Sequence, residues 1–239
     1  MCRSQGNSGM EATKNIKHIC GFCHREFVRE TSLSVHLCEP KRRHSEREEA
    51  GVRIGFNTWL RFYEITQGSN RNRSWDEFVE SSYYKAFVRF GRHAVAIRAV
   101  NTTAFADWLI QHNRKIDHWC RDNVYGEWLT EYICSESMTD GLSRTLETAI
   151  EWAEKNHSTA EHMLRYGNAN QISYLISTGR ISPWVLYNTE SGTKFLQELN
   201  TENIATIWPM INSDLWQKKF RDYAADAEYV RQILTQAGW

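Results

Sequence analysis

The stretch CGFCHREFVRETSLSVHLC, residues 20 to 38, decides how the amino-terminal part of this 239-residue chain is built. Cys20 and Cys23 enclose two residues, a spacing that turns the backbone tightly enough to set two thiolates on one metal ion. Twelve residues then separate Cys23 from His36, enough for the chain to return with an imidazole on a helix. Zinc takes four soft or borderline donors at tetrahedral positions, so zinc is the expected cofactor. Two fourth donors are open: Cys38, two residues past His36, and His44, eight past it. Residues two apart on an ideal helix point in very different directions, so Cys38 can serve only if the helix unwinds at His36. Pro40 disfavours helical geometry at Glu39 and so favours an early ending. Cys38 is preferred, because thiolate is the stronger zinc ligand and the shorter loop is easier to close. His44 stays as the alternative, and His18 and His24 fall outside the spacing.

From Cys20 through His36 the spacing resembles the two-Cys, two-His zinc-finger family, over about 20 residues. Phe27 and Leu33 stand where a ββα finger keeps the two apolar residues of its small core. The fourth ligand departs from the family, which places it three to five residues after the first His. If the unit docks on DNA as its family does, Arg29, Ser32 and Val35 would face base edges. Arg29 suits a guanine edge, but Val35 is a poor base reader and one finger spans only about three base pairs. Structural bracing or phosphate contact is therefore expected rather than sequence-specific reading by this unit alone.

Cationic residues follow the finger at once: Lys41, Arg42, Arg43, His44, Arg47 and Arg53. Glu46, Glu48 and Glu49 interrupt the run. Arg71 and Arg73 lie in the loop Gly68-Ser-Asn-Arg-Asn-Arg-Ser74. Lys85, Arg89 and Arg92 recur at helical intervals, so they can share one face, with His93 and Arg98 close by. The candidate nucleic-acid contacts are accordingly Arg29, Lys41, Arg42, Arg43, Arg47, Arg71, Arg73, Lys85, Arg89 and Arg92, each able to neutralise a phosphate without reading sequence. Tyr83, Tyr84, Phe87 and Phe90 interleave with the last group and could stack on unpaired bases. Tyr84, Phe87 and Val88 are nevertheless at core spacing, and packing is the favoured reading for the aromatics.

The formal net charge is zero, yet residues 1 to 100 hold 17 cations against 11 acids and the remainder holds 12 against 18. A basic half for a polyanion and an acidic half for a protein partner are consistent with that split. Three cysteines fall within 19 residues, no apolar run precedes them, and no stretch approaches the run of about 18 apolar residues that spans a bilayer. A reducing, cytosolic setting with metal-bound thiolates is expected, with no membrane partner.

Hydrophobic residues at 41% and aromatic ones at 13% can fill a real core, and only 3 prolines and 13 glycines favour long helices over many short strands. Val52, Phe56, Trp59, Leu60 and Tyr63 recur at steps of three and four, one buried helical face. Ser74-Trp-Asp-Glu77 has the form of a capping box and should open the next helix. Thr103 is read as the cap of a helix through Phe105, Trp108 and Leu109. Another helix carries Trp119, Trp128, Leu129, Tyr132 and Ile133, with a break near Gly126, and a further one runs from about 140 to 155. Ile172 to Gly179 reads as a helix closed by its glycine, and Ser182-Pro183 as a cap and first turn. Two last helices are expected over 191–211 and 213–236. The fold class is mainly α: a small ββα-like zinc finger followed by an irregular all-α multi-helix domain. The expected division is a loose stretch over 1–17, the finger over 18–44 and the helical domain over 45–239, with two subdomains as an option, parting near 137–157.

No glycine-rich phosphate loop, GxSxG or HExxH is present, so the chain is not expected to be an enzyme. Asp117, His118 and Cys120, with His112 and Cys134 nearby, are the one group that could bind a second metal or host a nucleophile, and Trp119 and Ile116 around them suggest packing instead.

Two wider resemblances remain. The run His36 to Arg43, with Phe56-Asn-Thr-Trp-Leu-Arg-Phe-Tyr-Glu64, looks like finger-bearing proteins of large tailed phages. The stretches Asp117-His-Trp119 through Glu131-Tyr-Ile133, and Ser173-Tyr-Leu-Ile through Ile181-Ser-Pro-Trp-Val-Leu186, resemble the helicase-loading proteins of T-even phages, which are all-helical and lack the finger. That resemblance implies a replication accessory acting in an infected host cell, binding forked or single-stranded DNA, recruiting a replicative helicase and contacting a single-strand-binding protein. The alternatives are a protein-interaction or transcription-regulatory factor that uses the finger as a brace, and a nucleic-acid-modifying enzyme.

Overall fold

Ser74 accepts a hydrogen bond from the Glu77 amide at 3.2 Å while the Glu77 carboxylate accepts one from the Ser74 amide at 2.9 Å, the capping box the sequence predicts. In this computed structural model, residues 17–68 and 71–239 are described. All but Lys17 of the stretch expected to be loose, and Ser69 and Asn70 of the Gly68–Ser74 loop, lie outside them.

The chain is mainly α-helical, with one two-stranded antiparallel sheet near the amino terminus among the described residues. It divides into two compact units, one ending at Val95 and the other covering Ala96–Trp239. Residues 137–157, where a subdomain boundary was an option, lie instead almost wholly inside a single helix.

The first unit contains β1 (His18–Ile19), β2 (Glu26–Phe27), α1 (Glu30–Ser34), α2 (Glu39–Ser45), α3 (Ala50–Gln67), α4 (Trp75–Glu80) and α5 (Tyr84–Ala96). Its core takes Val52 and Trp59 from the face predicted for α3, with Gly51, Gly55 and Thr58 beside them, while Phe56, Leu60 and Tyr63 of that face are half-buried. Trp59 lies 5.3 Å from Phe78 of α4, and Phe78 lies 4.9 Å from Tyr84 of α5. Phe78, Phe87 and Phe90 are fully buried, each stabilising the fold by about 1.5–3 kcal/mol through burial. The aromatics of α5 are thus core, as their spacing favours; Tyr83 alone of the four is exposed.

The second unit contains α6 (Thr102–Gln111), α7 (Asp122–Ser135), α8 (Met138–Asn156), α9 (Met163–Tyr166), α10 (Ala169–Ser177), α11 (Pro183–Leu186), α12 (Glu190–Glu198), α13 (Thr201–Ile211), α14 (Ser213–Asp222) and α15 (Ala224–Gln236). Asn101, rather than Thr103, caps α6, its side chain accepting from the Ala104 amide at 3.0 Å. α7 runs through Gly126 without a break, because one glycine lowers helix stability by only about 1 kcal/mol. Trp119 is not on α7 but precedes it, after a 3₁₀ turn at Ile116–His118. Gly179 takes φ +71° just past α10, and Ser182 caps α11, both as expected. The final two helices expected are four: Asn200 starts α13 by accepting from the Asn203 amide, and Tyr223, with φ −121° and ψ 49°, parts α14 from α15, while Asn212 caps α14 at the junction expected.

The connection between α7 and α8 holds the most deeply buried charge described in this unit. Glu136 is 4% exposed and accepts hydrogen bonds from Arg144 and Ser182. Lys219 donates to the carbonyls of Cys134 at 2.8 Å and Glu136 at 2.7 Å, so it closes the carboxyl end of α7.

Candidate metal centre and the cations around it

The hairpin pairs His18 with Phe27 and Ile19 with Glu26, which places Cys20 and Cys23 in the turn between the strands. The Cys20 amide donates to the Arg25 carbonyl at 3.0 Å and the His24 amide to the Cys20 carbonyl at 2.9 Å. His24 takes φ +56°, outside the usual range for a side-chain-bearing residue, and this closes the turn. α1 then carries Leu33 against the hairpin side and stops at Ser34. Phe27 and Leu33 are half-buried, and the Phe27 ring lies 4.8 Å from the His36 ring.

The helix ends before His36, the condition Cys38 needed. Cys38 is extended, with φ −93° and ψ 162°, and is the residue from which α2 starts. Pro40 acts differently from expectation: it sits in the first turn of α2 rather than holding Glu39 out of a helix, and the unwinding lies upstream of it. Cys20, Cys23, His36 and Cys38 come together, with all four ligand atoms within 4.8 Å of one another. The Cys20 and Cys38 sulfurs are 3.9 Å apart, and the Cys23 sulfur is 3.2 Å from His36 Nε2. Among the described residues no other three or more His, Cys, Asp or Glu side chains gather in this way. His44 stands apart from the group, its Nε2 3.8 Å from Asp76 and its ring 5.1 Å from Phe22.

The thiols are prepared unequally. Backbone amides of Cys23 and Phe22 bond to the Cys20 sulfur and lower its pKa to about 7. At Cys23 an Arg25 amide also lowers the pKa, but burial and the neighbouring Cys38 and Cys20 outweigh it and the thiol is raised. Three thiols and one imidazole at these separations form a donor set that can hold one metal ion.

The predicted cations divide into two classes. Glu39 gathers one: it pairs with Arg43 at 2.9 Å, Arg42 at 3.4 Å and Lys85 at 3.4 Å. Arg43 also donates to the Val79 carbonyl and lies over the Tyr84 ring. Arg92 pairs with Glu49 at 2.6 Å and Glu46 at 3.3 Å, and Arg71 pairs with Glu77. Arg73 reaches Gln67 at 3.0 Å and lies over the Tyr63 ring. Arg89 is on the exposed side of α5. The side-chain pairing of α5 with acids around α2 is thus internal, and the stripe expected to face a polyanion is largely neutralised.

The second class keeps its charge. Arg29, Lys41, Arg47 and Arg53, and with them Arg25, which the sequence reading did not single out, form no ion pair among the described residues. Lys41 donates to the His36 carbonyl at 3.2 Å, Arg25 lies over Phe27 and Arg47 over Trp75. Arg53 entered the sequence reading as one basic residue of a run; that it lines a cleft with Trp75 was not visible in spacing.

In the second unit, a cavity of about 620 Å³ is lined by Cys134, Glu136, Met138, Trp184, Lys219 and neighbouring residues. Burial raises the Cys134 thiol and the Glu136 carboxyl and lowers the Lys219 amine. His112 Nδ1 contacts the Trp108 carbonyl at 2.9 Å, and Asp117, His118 and Cys120 do not assemble a metal group with Cys134. No helix among the described residues is long and apolar enough to cross a membrane. Comparison with family models, with curated proteins and with solved structures finds no match to this chain.

Proposed function

We propose that this chain is a non-enzymatic nucleic-acid-binding protein whose amino-terminal unit is braced by one zinc ion on Cys20, Cys23, His36 and Cys38. Zinc–sulfur bonds of about 2.3 Å at tetrahedral angles separate two sulfurs by about 3.8 Å, close to the 3.9 Å between Cys20 and Cys38. Bound there, the ion would cross-link the hairpin to the start of α2. The observation that carries the binding role is the set of uncompensated cations, Arg25, Arg29, Lys41, Arg47 and Arg53, clustered in sequence around that brace. Such groups attract phosphate and release counterions on binding.

The test is anisotropy of labelled single-stranded, duplex and forked DNA and of single-stranded RNA at two salt concentrations, with and without a chelator. Affinity should fall steeply between 50 and 200 mM salt, by roughly tenfold or more for several phosphate contacts. Absence of binding to every probe at the lower salt removes the proposal.

The finer role of replication accessory rests on the resemblance to helicase-loading proteins. It expects preference for a fork and retention of a replicative helicase or single-strand-binding protein. A second reading has an observation of its own: Ile19, Phe22, Val28, Val35 and Leu37 of the finger are all exposed. Such apolar exposure on so small a unit suits a protein partner. A bait carrying Val28→Lys and Val35→Lys should then lose a nuclease-resistant partner that the parent protein retains.

A further inference from the structure

Arg47 and Arg53 are not merely two more surface charges. With Glu48, Phe56, Asn57 and Trp75 they line one cleft of about 340 Å³ in the amino-terminal unit. Arg53, Phe56 and Asn57 lie one turn apart on α3, so a single helix face presents all three. Trp75 comes from the first turn of α4, fixed there by the Ser74–Glu77 box. The Arg47 guanidinium lies 5.4 Å from the Trp75 ring, a placement that leaves its in-plane N–H groups available to a planar or tetrahedral anion. Phe56 lies 5.3 Å from Trp75 with its ring steeply inclined to the indole, is half-buried and lines the cleft. The Trp75 Nε1 is buried and has no acceptor among the described residues.

We propose that this cleft takes one unpaired nucleotide of a single-stranded nucleic acid, its phosphate on Arg47 and Arg53 and its base against Phe56, with the Asn57 amide at the base edge. The proposal rests on the nucleic-acid reading above and narrows it. The cleft sits at the small end of the roughly 300–1,000 Å³ typical of ligand sites, room for a nucleotide and not for a duplex. Two guanidiniums together offer the forked donor geometry that phosphate oxygens accept. An aromatic face suits any base, which gives tolerance of sequence. Glu48 opposes the anion, and two cations against one acid leave the lining net positive.

The test uses the full chain, loaded with zinc, and labelled oligothymidylate of ten nucleotides at 50 mM salt. Arg47→Gln with Arg53→Gln should weaken binding at least tenfold, whereas Arg25→Gln with Arg29→Gln, the same loss of charge, should weaken it less than threefold. Glu48→Gln should tighten binding. Asn57→Asp, which leaves both cations in place, should weaken it, and circular dichroism checks that each variant is folded. Unlabelled single strand should compete at least tenfold better than duplex. If both arginine pairs cost the same, or duplex competes equally well, the cleft is not the site and diffuse attraction alone remains. If the parent protein binds no strand, both this proposal and the wider one fall.

Discussion

A Cβ placed on Gly91 would lie 1.9 Å from the carbonyl oxygen of Gly51, so α3 and α5 touch backbone to backbone. Gly55 repeats the approach one turn along, where a Cβ would lie 2.6 Å from the Phe87 carbonyl oxygen. The aromatic core of the first unit closes only because these positions carry no side chain.

Gly91→Ala should therefore push the two helices apart and destabilise the unit by about 1–3 kcal/mol, more if the helices cannot shift. Gly126→Ala is the control, since a Cβ there meets nothing within 4 Å in mid-helix. It should stabilise by about 0.5–1 kcal/mol. Urea denaturation of both variants checks the pair of signs.

Glu136→Ala should destabilise the second unit by about 3–5 kcal/mol, because it leaves Arg144, only 10% exposed, without its carboxylate. Burial raises the Glu136 carboxyl. In the window between the ordinary glutamate value and that raised one, the folded chain holds the proton more firmly than the unfolded chain. Stability therefore declines as pH rises through the window. Glu136→Gln should flatten that decline in urea titrations at successive pH values.

Glu39→Gln should free Arg42, Arg43 and Lys85 from the acid they share. Each pair is solvent-exposed on at least one side and contributes little, so the fold should survive. Affinity for single-stranded DNA should rise, with a steeper dependence on salt. Unchanged affinity would mean that the α2 and α5 cations face away from any bound strand. The pairing itself has a pH signature. Arg43, with Lys85, holds Glu39 below the ordinary carboxyl range, and Arg92 does the same to Glu49. Their small contribution is complete above the ordinary glutamate value and disappears as pH falls through the depressed ones.

Mass spectrometry under native conditions should find one zinc per chain. Cys38→Ala should abolish that stoichiometry, while His44→Ala should leave it intact, since His44 stands with Asp76 and Phe22. Acidification should release the metal as protons compete for the sulfurs and the imidazole. Chelator-accessible zinc should therefore increase as pH falls.

Spacing revealed what is local. The Ser74–Glu77 box and the Ser182–Pro183 start of α11 depend on residues a few positions apart and the metal-ligand group on one stretch of nineteen, and all were legible. The choice between Cys38 and His44 was open because it depends on where α1 stops, and five residues carry too little propensity to decide that. The final helices were merged at Asn200 and at Tyr223, where no glycine or proline marks the break, whereas the junction at Asn212 was legible. The pairing of the cationic stripe was hidden for a different reason. Arg92 and Glu49 are 43 residues apart, and a helical-face argument sees only the near side of such a pair. What cancels a charge is usually elsewhere in the chain.

Because Cys38 belongs at once to the candidate ligand group and is the residue that launches α2, that group has no seam on its carboxyl side. A fragment trimmed at residue 38 would carry every donor yet lose the helix whose Arg42 amide bonds back to the Cys38 carbonyl at 3.0 Å. Transplanting these nineteen residues into another scaffold would therefore export a ligand set without its anchorage; the smallest portable piece extends at least through Ser45.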